Sequence, residues 1–260
     1  MSALLEVTGL TKRYSSHGRV VQALDNVSFS IAEGETLAVV GPSGSGKSTL
    51  SRVITRLVSA DAGSVRFAGT DWLALPAAAL RRERPRMQMV FQDPLEAVNP
   101  RATVFSAIAD PLRIHRLVPR REFRRAVIHL LDKVQLPASL LDRAVHEISG
   151  GQRQRVALAR ALACQPRLIV LDEAVSALDV SLRARIIDLL IDLQRAEKLS
   201  YLFVSHDLAV VKATAHRTAV MEAGRIVEIG PTPALINAPQ SEMARALIAA
   251  VPRLNLSRTL

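Results

Sequence analysis

Cysteine, aromatic residues, long apolar runs and acidic charge are all scarce in this sequence, and each scarcity narrows what the protein can be. The only cysteine, Cys164, leaves no internal disulfide and no metal or iron–sulfur site built from cysteines alone. Aromatics make up 3% of the chain, which argues against a stacking platform for single-stranded nucleic acid, since such platforms need exposed rings. No apolar run approaches the ~18 residues of a membrane-spanning helix. Residues 1–14 lack the basic start, apolar middle and small-residue cleavage site of a secretion signal. Acidic residues are outnumbered, 34 Lys and Arg against 24 Asp and Glu, for a formal charge of +10. That surplus fits a nucleic-acid surface, an anionic membrane surface or simply an arginine-rich composition, and does not choose among them. With 260 residues and 49% hydrophobic content, the chain can bury a substantial core in one large or two small domains. The expectation is a soluble, globular protein of the cytoplasm, without nucleic acid as a partner.

What is present is organised around Gly41, Pro42, Ser43, Gly44, Ser45, Gly46, Lys47, Ser48 and Thr49, which follow the apolar run 37–40 and precede a helical pattern. The spacing fits G-x-x-x-x-G-K-[ST]. Its glycines permit turns closed to residues with a Cβ, so that successive N–H groups point inward at phosphate oxygens. The helix behind puts the positive end of its dipole under the same phosphates. Lys47 would bridge the β- and γ-phosphates, and the Ser48 hydroxyl would be a ligand to Mg²⁺. A glycine-rich surface turn would not explain why strand, loop, Lys-Ser and helix arrive in this order.

Residues 3–10 and 22–31 read as strands of an N-terminal sheet. Tyr14, between them, is either a ring able to stack on a base or an ordinary strand-end tyrosine. A turn at 33–35 enters the strand 36–40, and 49–57 follows as a helix with Leu50, Val53, Ile54 and Leu57 on its apolar side. Gly63 and Gly69 bracket a short strand at 64–68. The cationic stretch 81–86 reads as a solvated loop or helix end. Residues 87–91 form a strand stopped by Gln92, Asp93 and Pro94. Over 102–135 the period becomes helical, with arginines on the polar sides of stripes such as Val127, Leu130, Leu131 and Val134. This helical insert closes at 148–152, where Ser149 sits as the N-cap of a helix over 153–163. The run 168–171 has the continuous apolar character of a parallel strand buried on both faces, and it ends in Asp172 and Glu173. A helix over 180–198 leads to a strand at 201–204 that ends in Ser205, His206 and Asp207. Strands at 217–221 and 225–229 finish the sheet, and Pro231, Pro233 and Pro239 break the chain before a last helix at 242–250. There is no internal repeat and no low-complexity tract.

Alternating strands and helices around a phosphate loop imply a doubly wound α/β core with ligands at the carboxyl ends of its strands. Four features fall at such ends: the loop after Val40, Gln92 after Phe91, Asp172 and Glu173 after Leu171, and His206 after Ser205. Phosphoryl transfer needs neutralised phosphate charge, a held metal and an oriented nucleophile. Asp172 would hold Mg²⁺ through a water ligand. Glu173 would orient or deprotonate the attacking water, His206 would hydrogen-bond the γ-phosphate, and Gln92 would reach the metal or the water. Each of these taken singly could be a satisfied strand end or helix start. Their coincidence around one phosphate loop favours the chemical reading.

Residues 41–49, Gln92, 148–152, 168–173, 176–179 and His206 stand in the order and spacing of the ATP-binding cassette (ABC) ATPases, and the resemblance covers nearly the whole chain. It implies an α/β fold: an ABC-type nucleotide-binding domain with a RecA-like core, an N-terminal antiparallel β subdomain and an inserted α-helical subdomain. A single ABC ATPase domain would occupy 1–235, with the insert at about 93–161, and 236–260 would form a short helical tail. It implies ATP and Mg²⁺ as cofactors and hydrolysis to ADP and phosphate. In this family two cassettes pack head to tail, so the signature residues Ser149, Gly150, Gly151 and Gln152 would act in trans on the γ-phosphate held by the other cassette. Ser176 and Asp179 resemble the loop that communicates across the dimer. Tyr14 falls at the adenine-stacking position, which turns the choice toward stacking. Ile148 replaces the usual leucine.

A narrower resemblance lies in residues 91–94, 99–101, 172–176 and 224–232, and in the tail 243–252. These look like the ATPases of peptide and nickel importers, although the usual His-Pro-Tyr-Thr of the tail is replaced at 239–243. Ala174 in place of the commoner proline, and the lack of a cysteine-bearing extension, look more like the nickel branch. The resemblance implies a subunit that powers solute uptake from the cytoplasmic face of the membrane. Its implied partners are a second ABC ATPase subunit (a paralogue or a second copy), two transmembrane permease subunits and an extracytoplasmic solute-binding protein. A soluble cassette ATPase acting on DNA or ribosomes is the alternative, and it usually carries two cassettes or a large added domain. A small-molecule kinase would leave 149–152 and the Asp172–Glu173 pair without a purpose.

Overall fold

The computed structural model describes residues 3–16, 19–99, 101–176 and 178–250. Pro100, Ala177 and the tail positions from Val251 onward, all cited in the resemblance above, lie outside the described residues.

In chain order the elements are β1 (Ala3–Ser16), β2 (Arg19–Ala32), β3 (Thr36–Val40), α1 (Lys47–Ile54), β4 (Ala62–Phe67), β5 (Thr70–Asp71), α2 (Ala77–Glu83), β6 (Met87–Val90), α3 (Val104–Ile114), α4 (Phe123–Lys133), α5 (Gly150–Leu162), β7 (Leu168–Asp172), α6 (Val180–Glu197), β8 (Ser200–Val204), α7 (Leu208–Thr214), β9 (Arg217–Glu222), β10 (Arg225–Pro231), α8 (Thr232–Asn237) and α9 (Glu242–Ala249). They form two sheets. One is antiparallel, in the order β2-β1-β4-β5; the other has the order β10-β9-β3-β8-β7-β6, in which only β10 runs antiparallel to its neighbour.

The continuous apolar run 168–171 is a central strand, as expected. Leu168 and Val170 face the core shared with the antiparallel sheet and α1, whereas Ile169 and Leu171 face the core shared with α3 to α6. Tyr201 and Phe203 against Leu202 and Val204 repeat this division on β8. Period-2 alternation with both sides apolar is what a parallel strand between two helical layers requires. The insert keeps its helical character, with Val127, Leu130 and Leu131 buried. Cys164 is buried too, and burial pushes its thiol up to about 11, which makes it a poor nucleophile.

Several boundaries differ from the sequence expectation. The first two strands run to 14 residues each and form one long hairpin, so Tyr14 lies within β1, opposite Val21. The cationic stretch 81–86 is the end of α2 and a following short 3-10 turn, as a helix end should be. Pro233 does not break the chain: it occupies the first turn of α8, where its missing N–H has no helical partner to lose. The carboxyl ends of β3, β8, β7 and β6 lie side by side.

Candidate nucleotide site

Backbone geometry builds the phosphate loop. Gly46 has φ +104°, and a Cβ there would stand 2.2 Å from the Ala23 carbonyl oxygen, so both the turn and the close approach of β2 demand glycine. Lys47, the first residue of α1, is buried; its Nζ donates to the carbonyl oxygens of Gly41 (2.9 Å) and Pro42 (2.8 Å) and to Ser45 Oγ (3.4 Å). Burial pulls its ammonium pKa down, against the opposing pull of Glu173 and Asp172. Pro42, Ser43, Gly44 and Ser48 are exposed, Thr49 is partly so, and Ser45 is buried. The loop therefore presents a charged, partly desolvated cradle.

Sheet order brings the other candidates to it. β3, β8, β7 and β6 are consecutive neighbours, and their register aligns Val39 with Val204, Val204 with Asp172, and Leu171 with Val90. The loop, His206, the Asp172–Glu173 pair and Gln92 all emerge from one edge.

Ser48 Oγ donates to Asp172 Oδ1 at 3.1 Å. Burial pushes the Asp172 carboxyl up, and the Ser48 hydroxyl and the Arg52 charge pull it back. A hydroxyl and a carboxylate side by side are the hard oxygen donors that suit Mg²⁺. Among the described residues no group of three or more His, Cys, Asp and Glu could hold a metal. Glu173 takes φ +51°, sparsely populated for a residue with a Cβ, and its Oε2 lies 3.4 Å from His206 Nδ1. Glu173 N donates to Val204 O, and its own carbonyl accepts from Ser176 N and Oγ, which braces the turn. His206 is 59% exposed and Gln92 is also exposed, leaving both open to a ligand.

Tyr14 lies on the hairpin whose second strand touches the loop at Ala23. It is 40% exposed beside exposed Val20 and Val21, and Lys12 Nζ stands 5.6 Å over its ring.

Ser149, Gly150, Gly151 and Gln152 are placed elsewhere. Ser149 caps α5: its Oγ accepts from Gln152 N at 3.3 Å, and Gln152 Oε1 accepts from Ser149 N at 3.0 Å, a reciprocal capping box. Ser149 and Gly150 are exposed, and among the described residues no hydrogen bond joins 149–152 to 41–49. Asp179 is exposed at the N-cap of α6, where the Leu182 N–H and then the Ser181 hydroxyl hold its carboxyl below the usual range.

The sequence reading gave no site role to Leu182, Arg183 or Asp207. Asp207 stands after His206 and caps α7, a position that its residue type could have signalled. Arg183 carries no local signal, because its partner is 24 residues away.

These features define a phosphate-loop nucleotide-binding domain with a helical insert that carries an exposed helix N-terminus. Residues 24–176 match the family described as "ABC transporter". The chain is 48% identical over 257 residues to the "Probable peptide ABC transporter ATP-binding protein y4tS" of Sinorhizobium fredii, covering 96% of this chain and 73% of that protein. It is 48% identical over 251 residues to the "Glutathione import ATP-binding protein GsiA" of Escherichia coli O6:H1, covering 96% of this chain but 40% of that longer protein. Among solved structures, the cassette MJ0796, in a dimeric post-hydrolysis state with ADP and phosphate, superposes with TM-score 0.80 at 29% identity, over 88% of this chain and 98% of that one. CbiO1 of Clostridium perfringens, part of the transporter complex cbiONQ, superposes with TM-score 0.81 at 26% identity over 97% of each chain. The chain belongs to the ABC transporter family, as an ATP-binding cassette.

Proposed function

We propose that this chain is the ATP-hydrolysing subunit of an importer of the peptide type. The observation that carries this reading is the alignment of four consecutive strand ends, which gathers Lys47 and Ser48, His206, Asp172 and Glu173, and Gln92, while Ser149 stays exposed on the insert. In this reading one chain offers a nucleotide site and, separately, an exposed helix N-terminus for another chain's nucleotide.

In this reading Lys47 and the loop N–H groups of 41–49 hold the β- and γ-phosphates, and Tyr14 stacks on the adenine. Ser48 and Asp172, with Gln92 within reach, would hold Mg²⁺, which neutralises phosphate charge when bound. Glu173 orients the attacking water and accepts its proton, and His206, beside Glu173, donates to the γ-phosphate. Ser149, Gly150, Gly151 and Gln152 complete the opposite cassette's site through the Ser149 hydroxyl and the N-terminus of α5. Ser176 and Asp179 lie at the same dimer interface. Domain limits of 1–235 with the insert at about 93–161, and a tail over 236–260, go with this reading.

The partners would be a second cassette, two transmembrane permease subunits and an extracytoplasmic solute-binding protein, with this chain held at the cytoplasmic face through the permease. Among the described residues no helix is long and apolar enough to cross a membrane. The insert carries a hollow of about 650 Å³ lined by Phe105, Leu112, Phe123 and several arginines, including Arg120, Arg121 and Arg124. Such a surface suits a protein partner. The peptide and glutathione names of the relatives favour the peptide branch over nickel.

The test is a pull-down of the Glu173→Gln protein from native membranes with Mg-ATP. Co-purification of a second cassette and two membrane subunits is the expected result. Recovery of ribosomes or nucleic acid instead would leave the ATP chemistry standing and remove the transport assignment.

A further inference from the structure

The first turn of α6 joins three segments that the proposed reaction uses separately. At its start, Asp179 Oδ1 accepts from Leu182 N at 2.8 Å. The Leu182 side chain packs against Gly151, its Cδ2 2.3 Å from where a Cβ on that residue would stand, so a side chain at 151 would push Leu182 aside. The next residue, Arg183, splits its fork: Nη1 donates to Asp207 Oδ2 at 2.5 Å, and Nη2 donates to Leu178 O at 3.0 Å and to Ser176 O at 3.5 Å. Asp207 directly follows His206. Its other oxygen, Oδ1, accepts from the N–H groups of Ala209 and Val210.

One guanidinium therefore ties the 176–179 loop to the carboxylate beside His206, while its neighbour touches the signature. The chemistry calls for arginine. Holding a carboxylate and a carbonyl at once takes two donors in fixed relative geometry, which an ammonium on a flexible stem does not supply.

We propose that Arg183 is a positioning residue that sets His206 and Glu173 according to the placement of the 176–179 loop, so that closure of a cassette dimer on one nucleotide site prepares the other. The inference rests on the head-to-tail dimer of the proposed function and names the side chain that carries its signal within one chain. Removing Arg183 leaves the Asp207 carboxylate its two cap hydrogen bonds, and the thermal midpoint reads whether the fold is kept.

The experiment measures ATP affinity, steady-state hydrolysis and thermal midpoint for the wild type, Arg183→Met, Arg183→Lys and the double variant Arg183→Met with Asp207→Asn, each with the partners that the pull-down returns, or alone if the chain pairs with itself. Arg183→Met is expected to lower kcat about tenfold while ATP affinity stays within about twofold. Arg183→Lys should recover part of the rate, and the double variant should be no slower than Arg183→Met, because both changes cut one link. An unchanged kcat in Arg183→Met overturns the inference alone. A parallel fall of kcat, affinity and thermal midpoint also overturns it, since that marks a structural role. A wild type that hydrolyses no ATP in either setting overturns the functional reading, and this inference with it.

Discussion

Ser48 Oγ and Asp172 Oδ1 stand 3.1 Å apart although 124 residues separate them. The hydroxyl lies in the first turn of α1 and the carboxylate ends β7, two strands away from β3 across β8. The pair gathers hard oxygen donors at the floor of the phosphate loop and leaves a desolvated carboxyl there in the absence of a ligand, a local cost that a bound cation would offset.

Asp172→Asn should therefore stabilise the ligand-free protein while removing Mg-dependent hydrolysis. A carboxyl whose folded-state pKa lies above its ordinary 3.8 holds its proton more tightly when folded, so stability falls as pH rises from that value through the folded pKa. The cost is fully present above this window. Calorimetry should show the thermal midpoint of Asp172→Asn raised over wild type more at neutral than at acidic pH; an equal shift at both would contradict the assignment to charge burial.

Lys47→Ala removes the cation proposed to hold the phosphates together with the internal tie to Gly41 and Pro42. A charge-assisted hydrogen bond contributes about 1.5–3 kcal/mol, so nucleotide affinity should fall roughly 10- to 100-fold. Titration with a fluorescent ATP analogue reads this directly, and wild-type affinity would count against the cradle.

For Glu173→Gln, ATP binding should persist while turnover drops by about two orders of magnitude, and a closed dimer should accumulate with ATP on size exclusion. Unchanged hydrolysis would take Glu173 out of the chemistry despite its place beside His206.

Ser149→Arg places a bulky cation at the exposed start of α5. The expected result is normal ATP binding with hydrolysis lost, measured on the same preparation. Normal hydrolysis would show that 149–152 does not complete a second chain's site.

Much of this was legible in the sequence because it is local. The Gly-Lys-Ser spacing, the buried run 168–171 and the Ser149 cap each depend on neighbours within a few residues; the structure puts the run on a central strand and Ser149 at an N-cap, while α1 starts two residues earlier than expected and ends at Ile54, leaving Leu57 exposed beyond it. The misreadings were local rules applied too simply. Pro233 looked like a break but fits the first turn of α8, and the long β1–β2 hairpin was cut short because its pairing shifts register several times and blurs the alternation.

By itself, the sequence determined the Gly-Lys-Ser spacing, the Ser149 cap, the carboxylate pair at the end of an apolar run and the alternation of strands and helices, since each is a matter of residue type at short spacing. Only the tertiary structure decided that β3, β8, β7 and β6 lie side by side, that Ser48 meets Asp172 and Glu173 meets His206, and that Arg183 reaches Asp207. Those contacts are set by strand order and by how helices cover the sheet, and no periodicity within a segment encodes which distant segment it will meet.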